Sequence, residues 1–302
     1  MNCIFCQSST FVLYRYPKYH FNGNIFEYKR CAECRLVQLS PMPKTEDYDL
    51  MYPASYQDGG ANTIVNWQMG VALSGLRFPY KQQLELIEKF VSKSANILDY
   101  GCGNANFLVN AADYGFNSLN GAEFGPEIVG VLQMQLPKMQ FYTIQEILSN
   151  LDAEGFDCIR LSNVLEHLTD PSEILQVLKS KLNHNGILVL EGPLEDNFYP
   201  MNVLNRIYFT LRGLIKKSSV SDQPPYHIFF ANYRNQLELM ENAGYKTIYC
   251  EVIENSWPYP NSWKDSYSLT SKVYFLLSKL SRQLTSLGLG RWGNTILYIG
   301  QK

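Results

Sequence analysis

Hydrophobic and polar residues alternate with two different periods from residue 80 onward. Short apolar runs bounded by turn-forming residues predict buried strands, and apolar residues three or four positions apart predict helices. The predicted strands are 96–100, 118–124, 139–144, 156–165, 186–193, 246–254 and 294–302. The predicted helices are 80–94, 104–115, 126–136, 171–183 and 232–245. This order predicts a doubly wound α/β fold, in which a sheet of parallel strands carries helices on both faces.

Two irregular stretches, 194–231 and 255–292, interrupt this alternation. The first contains "MNVLNRIYFTLRGLIKK" (201–217), which can form a helix that acts as a lid. The second contains an amphipathic stretch at 269–290 with basic residues at its polar positions. These are Lys272, Lys279 and Arg282. We expect its apolar side to pack against the sheet, with peripheral contact to a membrane surface as the alternative.

Two CxxC pairs lie near the amino terminus, with 24 residues between them. They are formed by Cys3, Cys6, Cys31 and Cys34. Two such turns can bring four thiolates to about 2.3 Å from one zinc ion and complete a tetrahedral shell. The segment between the pairs predicts two strands around the turn "FNGN" (21–24). The pattern therefore predicts a zinc ribbon at 1–45 whose closed site serves folding, whereas a redox role for the cysteines is the alternative.

The stretch "NILDYGCGNANFL" (96–108) places two glycines one residue apart after a predicted strand, where α/β sheets bind ligands. It lacks the lysine of a P-loop, and Asn106 stands where a dinucleotide fingerprint needs a third glycine. Asp99 beside the turn would repel pyrophosphate but suits an ammonium group. Glu123 ends the next strand, where a carboxylate can accept both ribose hydroxyls. An amino acid joined to a ribose describes S-adenosylmethionine (SAM).

The chain resembles the class I SAM-dependent methyltransferases over about residues 80–302. Matching motifs appear in order: "ILDYGCGNANFL", "GAEF", "GFDCIRLSNVLEHLTDP", "NHNGILVLEGP" and "ENAGY". Ala105 departs from the family, which often has a third glycine there. The resemblance implies a Rossmann-like sheet of seven strands that binds SAM. The cofactor-binding residues that it implies are Asp99, Gly101, Gly103, Asn104, Glu123, Phe124, Ile144, Gln145, Asn163 and Tyr56.

The amino-terminal layout "CxxC…RCAECRLVQLSPMP…Y…Y" resembles a branch of zinc-ribbon methyltransferases. That branch includes enzymes that act on nucleotide-activated sugars and proteins of polysaccharide biosynthesis. The resemblance implies that the amino-terminal module helps to cover the acceptor. It also implies that 46–79 is a linker and cap over the cofactor, which Tyr52 and Tyr56 reach. Residues 80–302 would then form the SAM-binding domain, with the irregular stretches as insertions.

Methyl transfer from a sulfonium depends on positioning, and oxygen or carbon acceptors also need a base that removes a proton. His227, in "PPYHIFF", lies in the irregular segment over the strand ends and is the first candidate. Glu166 and Tyr226 follow it. His167, in "LEHL", should lie near the cofactor, where a hydrogen-bonding role in orienting the loop is the alternative.

Composition and charge restrict the function classes. The chain has 302 residues, 46% hydrophobic and 18% charged, which is typical of a globular protein. Its length suits one large domain, or one large and one small domain. The net charge of -2 argues against non-specific electrostatic binding of nucleic acid. No signal peptide or transmembrane run is visible, so we expect a cytoplasmic protein with reduced thiols.

The sequence thus predicts a SAM-dependent methyltransferase with a structural zinc ion. The expected acceptor is a nucleotide-activated sugar or a glycan intermediate of polysaccharide biosynthesis. Methylation of RNA or protein, with the ribbon as the binding module, is one alternative. A non-catalytic scaffold that keeps the SAM fold is another.

Overall fold

The computed structural model describes most of the chain. The described residues are 2–14, 16–51, 80–149, 155–215, 220–254, 263–264, 266 and 268–302. The helices are α1 (Thr45–Met51), α2 (Tyr80–Ile87), α3 (Asn106–Tyr114), α4 (Pro126–Gln135), α5 (Ile144–Ser149), α6 (Pro171–Lys181), α7 (Pro200–Ile215), α8 (Tyr233–Asn242) and α9 (Leu269–Ser286). The predicted cap residues Tyr52 and Tyr56 lie outside the described residues.

A sheet of seven strands forms the larger layer, as the sequence predicts. Its strands are β5 (Asn96–Tyr100), β6 (Ser118–Glu123), β7 (Gln140–Thr143), β8 (Phe156–Ser162), β9 (Leu182–Pro193), β12 (Lys246–Ile253) and β13 (Thr295–Gln301). The spatial order is β12-β13-β9-β8-β5-β6-β7. The five strands from β9 to β7 are parallel, whereas β13 is antiparallel to both β9 and β12, so the prediction of parallel strands fails at that edge. After β5 the chain adds β6 and β7 on one side of it, and then β8 and β9 on the other side. The topological switch point therefore lies at the carboxyl end of β5.

The central strands are buried on both faces, which explains their continuous apolar runs. Leu98 of β5 packs into the core on one face, together with Ile159 of β8. Ile97 packs into a second cluster on the other face, together with Cys158. Successive residues of a strand point to opposite faces, so each strand contributes to both clusters.

Several element boundaries differ from the prediction. The predicted strand at 139–144 ends at Thr143, and the helix α5 begins directly after it. The Glu146 N–H donates to the Thr143 hydroxyl at 3.2 Å, and the Thr143 N–H donates to the Glu146 carboxylate at 2.6 Å. This pair of hydrogen bonds is a capping box, and it starts the helix. The predicted strand at 156–165 ends at Ser162 and gives way to a 3₁₀ turn at Leu165–His167. Helix α2 ends at Ile87 rather than at 94.

A second sheet is built around the amino-terminal segment. Its strands are β1 (Phe11–Leu13), β2 (Lys18–Phe21), β3 (Asn24–Cys31), β4 (Val37–Ser40), β10 (Val220–Ser221) and β11 (Phe229–Phe230). The predicted hairpin is confirmed: β2 and β3 pair around Asn22 and Gly23, whose φ angles of 46° and 73° suit this tight turn. Strand β10 pairs with β2, and β11 pairs with β4. The irregular stretch 194–231 therefore completes a sheet that begins 200 residues earlier in the chain.

Each of the two irregular stretches also contains a helix, α7 in 194–231 and α9 in 255–292. Helix α7 lies against α9, and α9 also contacts β12. Within the part of the chain that the structure describes, no helix is long and apolar enough to cross a membrane.

Candidate active site

The glycine turn between β5 and α3 lies at the topological switch point. Gly101 and Gly103 have φ angles of 76° and 54°, in the left-handed region that glycine adopts most easily. A β-carbon on Gly101 would lie 2.4 Å from Cγ2 of Val164, whereas one on Gly103 would meet no atom within 4 Å. Ala105 is also left-handed, at φ 59°, and its small side chain is fully buried. Gly101 thus permits close packing, and Gly103 leaves the backbone open to a ligand.

Glu123 joins the end of β6 to this turn. Its Oε2 accepts a hydrogen bond from the Gly103 N–H at 2.7 Å, and its Oε1 accepts one from the Phe124 N–H at 2.7 Å. The predicted acid therefore lies beside the predicted glycine turn and accepts a hydrogen bond from its backbone.

Asp99 is part of a buried ionic network that the sequence analysis missed. Arg160 of β8 donates to its Oδ1 at 2.8 Å and lies 3.4 Å from a carboxylate oxygen of Glu191. Gln83 accepts a further bond from Arg160 at 3.0 Å. Burial raises the pKa of Asp99, and the guanidinium of Arg160 opposes that rise. Arg160 therefore balances the charge of Asp99 inside the sheet, and the role of Asp99 toward an ammonium group stays a prediction.

The other predicted cofactor residues of the described chain lie at the carboxyl ends of the same strands. They are Asn104 after β5, Phe124 after β6, Ile144 and Gln145 after β7, and Asn163 after β8. Phe124 is 56% exposed, which is unusual for a large apolar ring and leaves it free to cover a planar base. Asn163 has a φ of 52°, and strained backbone of this kind is concentrated at functional sites.

The four candidate catalytic residues come together near the same edge. The His167 and His227 rings lie 4.9 Å apart at 82°, and His167 Nδ1 lies 2.9 Å from the Tyr226 carbonyl oxygen. Because a carbonyl only accepts, Nδ1 of His167 carries the proton and Nε2 keeps its lone pair. Glu166 is buried beneath the rings, with Oε1 3.9 Å from His167 Nε2.

Their environments separate the pKa values of these groups. Burial lowers the pKa of His167 to about 4, and the neighbouring His227 acts in the same direction. Burial also lowers the pKa of His227, but the carboxylates of Glu195 and Glu166 outweigh it and raise the pKa to about 9. Burial raises the pKa of Glu166 to about 7. At neutral pH the cluster therefore holds one neutral and one cationic histidine.

Glu195 and Tyr28 hold the His227 segment, and the sequence analysis missed both. Glu195 Oε2 lies 2.9 Å from His227 Nδ1, and the Tyr28 hydroxyl donates to the His227 carbonyl at 2.6 Å. The Tyr28 ring also stacks on Phe230 at 4.1 Å. One ring nitrogen of each histidine and one Glu166 oxygen lie within 4.8 Å of one another, close enough for a shared ion. His227 must lose its ring proton before it can either hold an ion or act as a base, because its cationic form has no lone pair.

The four amino-terminal cysteines form a compact cluster, as the spacing predicts. Their sulfur atoms all lie within 4.8 Å of one another, with 3.5 Å between Cys3 and Cys34 and between Cys6 and Cys31. Tetrahedral zinc with bonds of about 2.3 Å separates its sulfur ligands by about 3.8 Å. The donor set and its spacing therefore suit a zinc ion.

Comparison with known proteins agrees with this geometry. A family model described as a methyltransferase domain matches residues 77–249, more than half of the chain. The tRNA U34 carboxymethyltransferase of Alteromonas mediterranea is 28% identical over 117 residues, which cover 33% of this chain and 32% of that protein. The chain thus spans about a third of the length of this curated relative.

Two solved structures share the fold at low sequence identity. A methyltransferase in complex with its activator from Haloferax volcanii has a TM-score of 0.52 and 14% identity, covering 83% of this chain and 95% of that one. The cyclase SpnF has a TM-score of 0.50 and 12% identity, covering 86% of this chain and 97% of that one. A cyclase on the same fold shows that fold alone does not determine the reaction. The family model matches more than half of the chain, so the chain belongs to the methyltransferase domain family.

Proposed function

We propose that the enzyme transfers the methyl group of SAM to a hydroxyl of a nucleotide-activated sugar or a glycan intermediate of polysaccharide biosynthesis, in the cytoplasm. The observation that carries this proposal is the position of His227. It lies beside the strand ends where SAM would bind, and the second sheet holds its backbone there. Bound SAM supplies an electrophilic methyl group on a positively charged sulfur.

The chain's own residues would position the two substrates and move one proton. The open backbone at Gly103 and the carboxylate of Glu123 would hold the methionine and ribose ends of SAM. Phe124, Ile144 and Gln145 would flank the adenine, and Asn163 would close the pocket. In its neutral form, which becomes populated as pH rises toward its pKa of about 9, His227 would accept the proton of the acceptor hydroxyl at Nε2, because Glu195 engages its Nδ1. The site of this proton transfer would be lined by His167, Glu166 and Tyr226.

We further propose that the four-cysteine cluster binds a structural zinc ion. Four protein ligands would leave no open position for a substrate, so the ion would stabilise the amino-terminal sheet. Strand β4 of that sheet pairs with β11, directly after His227. Zinc would therefore act on catalysis through the position of His227. The cap predicted at 46–79, with Tyr52 and Tyr56, remains a prediction, because residues 52–79 lie outside the described residues.

A direct test offers labelled SAM to the purified, zinc-loaded protein with three acceptor pools: nucleotide sugars, a lipid-linked glycan extract and total RNA. We expect label in a sugar fraction. The His227→Ala variant should lose turnover and keep its affinity for SAM. His184→Ala is the matched control, because His184 is exposed near the amino end of β9, opposite the carboxyl ends of the parallel strands.

RNA is the second candidate acceptor, since a third of the chain is similar to a tRNA-modifying enzyme. Label in RNA alone would replace the sugar proposal with this one. Retained turnover in His227→Ala would reject His227 as the base. If SAM does not raise the melting temperature at high concentration, the protein is a scaffold with the fold of the family.

A further inference from the structure

Helix α9 exposes apolar residues and buries polar ones. Leu269, Val273, Leu276 and Leu280 are between 42% and 80% exposed, and their spacing of three or four residues places them in one stripe. Ser278 and Ser281 are 4% and 0% exposed, so the side that packs on the protein carries serines. A helix that only packs on its own sheet shows the opposite arrangement.

Helix α7, which lies against α9, repeats this arrangement. Leu204, Ile207, Tyr208 and Leu211 are between 45% and 54% exposed, again at helical spacing. Its buried polar residue is Asn202, which donates to the backbone carbonyl of Glu195 at 3.0 Å. Because the two helices contact each other, we call their two exposed stripes together the α7–α9 face. Large exposed apolar areas mark sites of interaction.

The two segments that form the α7–α9 face carry only positive charges. Residues 198–215 and 268–292 contain no Asp or Glu, although the whole chain has a net charge of -2. The second segment contributes the basic residues Lys272, Lys279, Arg282 and Arg291. In a symmetric dimer through this face, these cations would oppose one another. An anionic surface would instead attract them.

Exposed aromatic residues lie next to the same helices. Phe198 precedes α7 and is 59% exposed, and Trp263 precedes α9 and is 48% exposed. Lys272 Nζ lies 5.3 Å from the centre of the Trp263 ring. Exposed Leu, aromatic rings and Lys or Arg without acids are the combination that lies in the headgroup layer of a bilayer.

We propose that the α7–α9 face binds the surface of a membrane that contains anionic lipids. The apolar stripes enter the boundary between headgroups and acyl chains, and the lysines and arginines contact the lipid phosphates. This attachment would be peripheral and sensitive to salt, because salt screens the attraction between the basic residues and the lipid phosphates. It does not depend on which acceptor is methylated.

Vesicle flotation of the full-length protein tests this directly. Vesicles of phosphatidylcholine with about 30% phosphatidylglycerol should carry the protein, and pure phosphatidylcholine should carry at least about tenfold less. The double variant Leu276→Ser/Leu280→Ser should weaken binding to the anionic vesicles about tenfold or more. Lys272→Gln/Lys279→Gln should weaken it by a similar factor and reduce its dependence on salt.

Leu13→Ser is the matched control, since Leu13 is 70% exposed on β1 and lies outside this face. It should bind vesicles as the unmodified protein does. If neither kind of vesicle carries the protein, the proposal is wrong. A dimer in sedimentation that the Leu276→Ser/Leu280→Ser change dissociates would also overturn it, because a second copy would then cover the face.

Discussion

The two sides of the active site are built in different ways. The cofactor side consists of consecutive strand, turn and helix: β5, the glycine turn and α3, with Glu123 at the end of the next strand. The acceptor side is assembled from segments far apart in sequence. The His227 carbonyl is held by Tyr28, its ring by Glu195, and the following strand by β4.

This difference separates binding from chemistry. The cofactor side depends on backbone conformation and on a buried ionic network within the seven-stranded sheet. The acceptor side depends on how the amino-terminal sheet lies against the 194–231 segment, where Arg30 donates twice to Asp196 at 2.5 and 2.7 Å. Damage to one side should therefore affect SAM binding and stability, and damage to the other should affect turnover.

The largest effect is expected from Arg160→Leu. The change leaves Asp99 and Glu191 buried without their cation, and removal of one partner from a buried ion pair costs about 3–5 kcal/mol. Urea denaturation should show a loss of this size in the free energy of unfolding. Arg234→Leu, on the exposed side of α8, should change it by less than about 0.5 kcal/mol. A loss below about 1 kcal/mol for Arg160→Leu would show that the network does not support the cofactor side.

Zinc removal should separate the two sides most clearly. In Cys34→Ser, or after chelation, we expect turnover to fall at least about tenfold while the Kd for SAM changes less than about threefold. The reason is that β4 and Tyr28 position His227, whereas the glycine turn belongs to the other sheet. Calorimetry with SAM and a methyl-transfer assay give the two values. Cys250→Ser, outside the cluster, serves as the control, and an equal loss of both properties would contradict the separation.

Two glycine variants should sharpen the comparison within the cofactor side itself. Both residues have positive φ, so alanine costs about 1 kcal/mol of backbone strain at either position. Gly101→Ala adds a clash with Val164 and should lower stability further. Gly103→Ala adds no contact within the protein, so its main effect should be weaker SAM binding. Thermal unfolding with and without SAM distinguishes these outcomes, and equal SAM affinities in the two variants would argue against a ligand beside Gly103.

The cofactor side could be predicted because its signals are local. Gly101 and Gly103 follow an apolar run directly, and Glu123 ends the next one. The pairing of Asp99 with Arg160 also left a signal, since an arginine inside the apolar run "FDCIRLS" needs a buried partner. In the register of β5 and β8, Arg160 lies opposite Asp99. Helix α5 was missed because six residues are too few for a helical period, although its Thr143–Glu146 capping box is visible in the sequence.

The acceptor side could be predicted only in part. Local pattern identified His227 and His167 as candidates, but nothing near them indicated Glu195 or Tyr28 as their partners. Those contacts arise when β11 joins the amino-terminal sheet, and a strand of two residues has no readable period. The sequence pattern of 269–290 predicts an amphipathic helix, but it does not show which side of the helix packs on the protein. In the structure Ser278 and Ser281 are buried and the leucine stripe is exposed.

The smallest effect is expected in the pH dependence of turnover, where Glu195→Gln tests the partner of His227. The pKa of His227 is raised to about 9, above the ordinary value of about 6.5, so the free base forms only as pH rises toward 9. If His227 is the base, kcat should rise through this range and level off above it. Without the Glu195 carboxylate, burial lowers the pKa of His227, so the rising part of the kcat profile should move to lower pH.

The part of the folding stability that Glu195 confers through His227 should be complete below about pH 6.5 and disappear as pH rises through 9. Glu238→Gln, exposed on α8, should leave both profiles unchanged. A profile that is flat from pH 6 to 9 would instead assign the base to His167, whose pKa of about 4 keeps it neutral throughout.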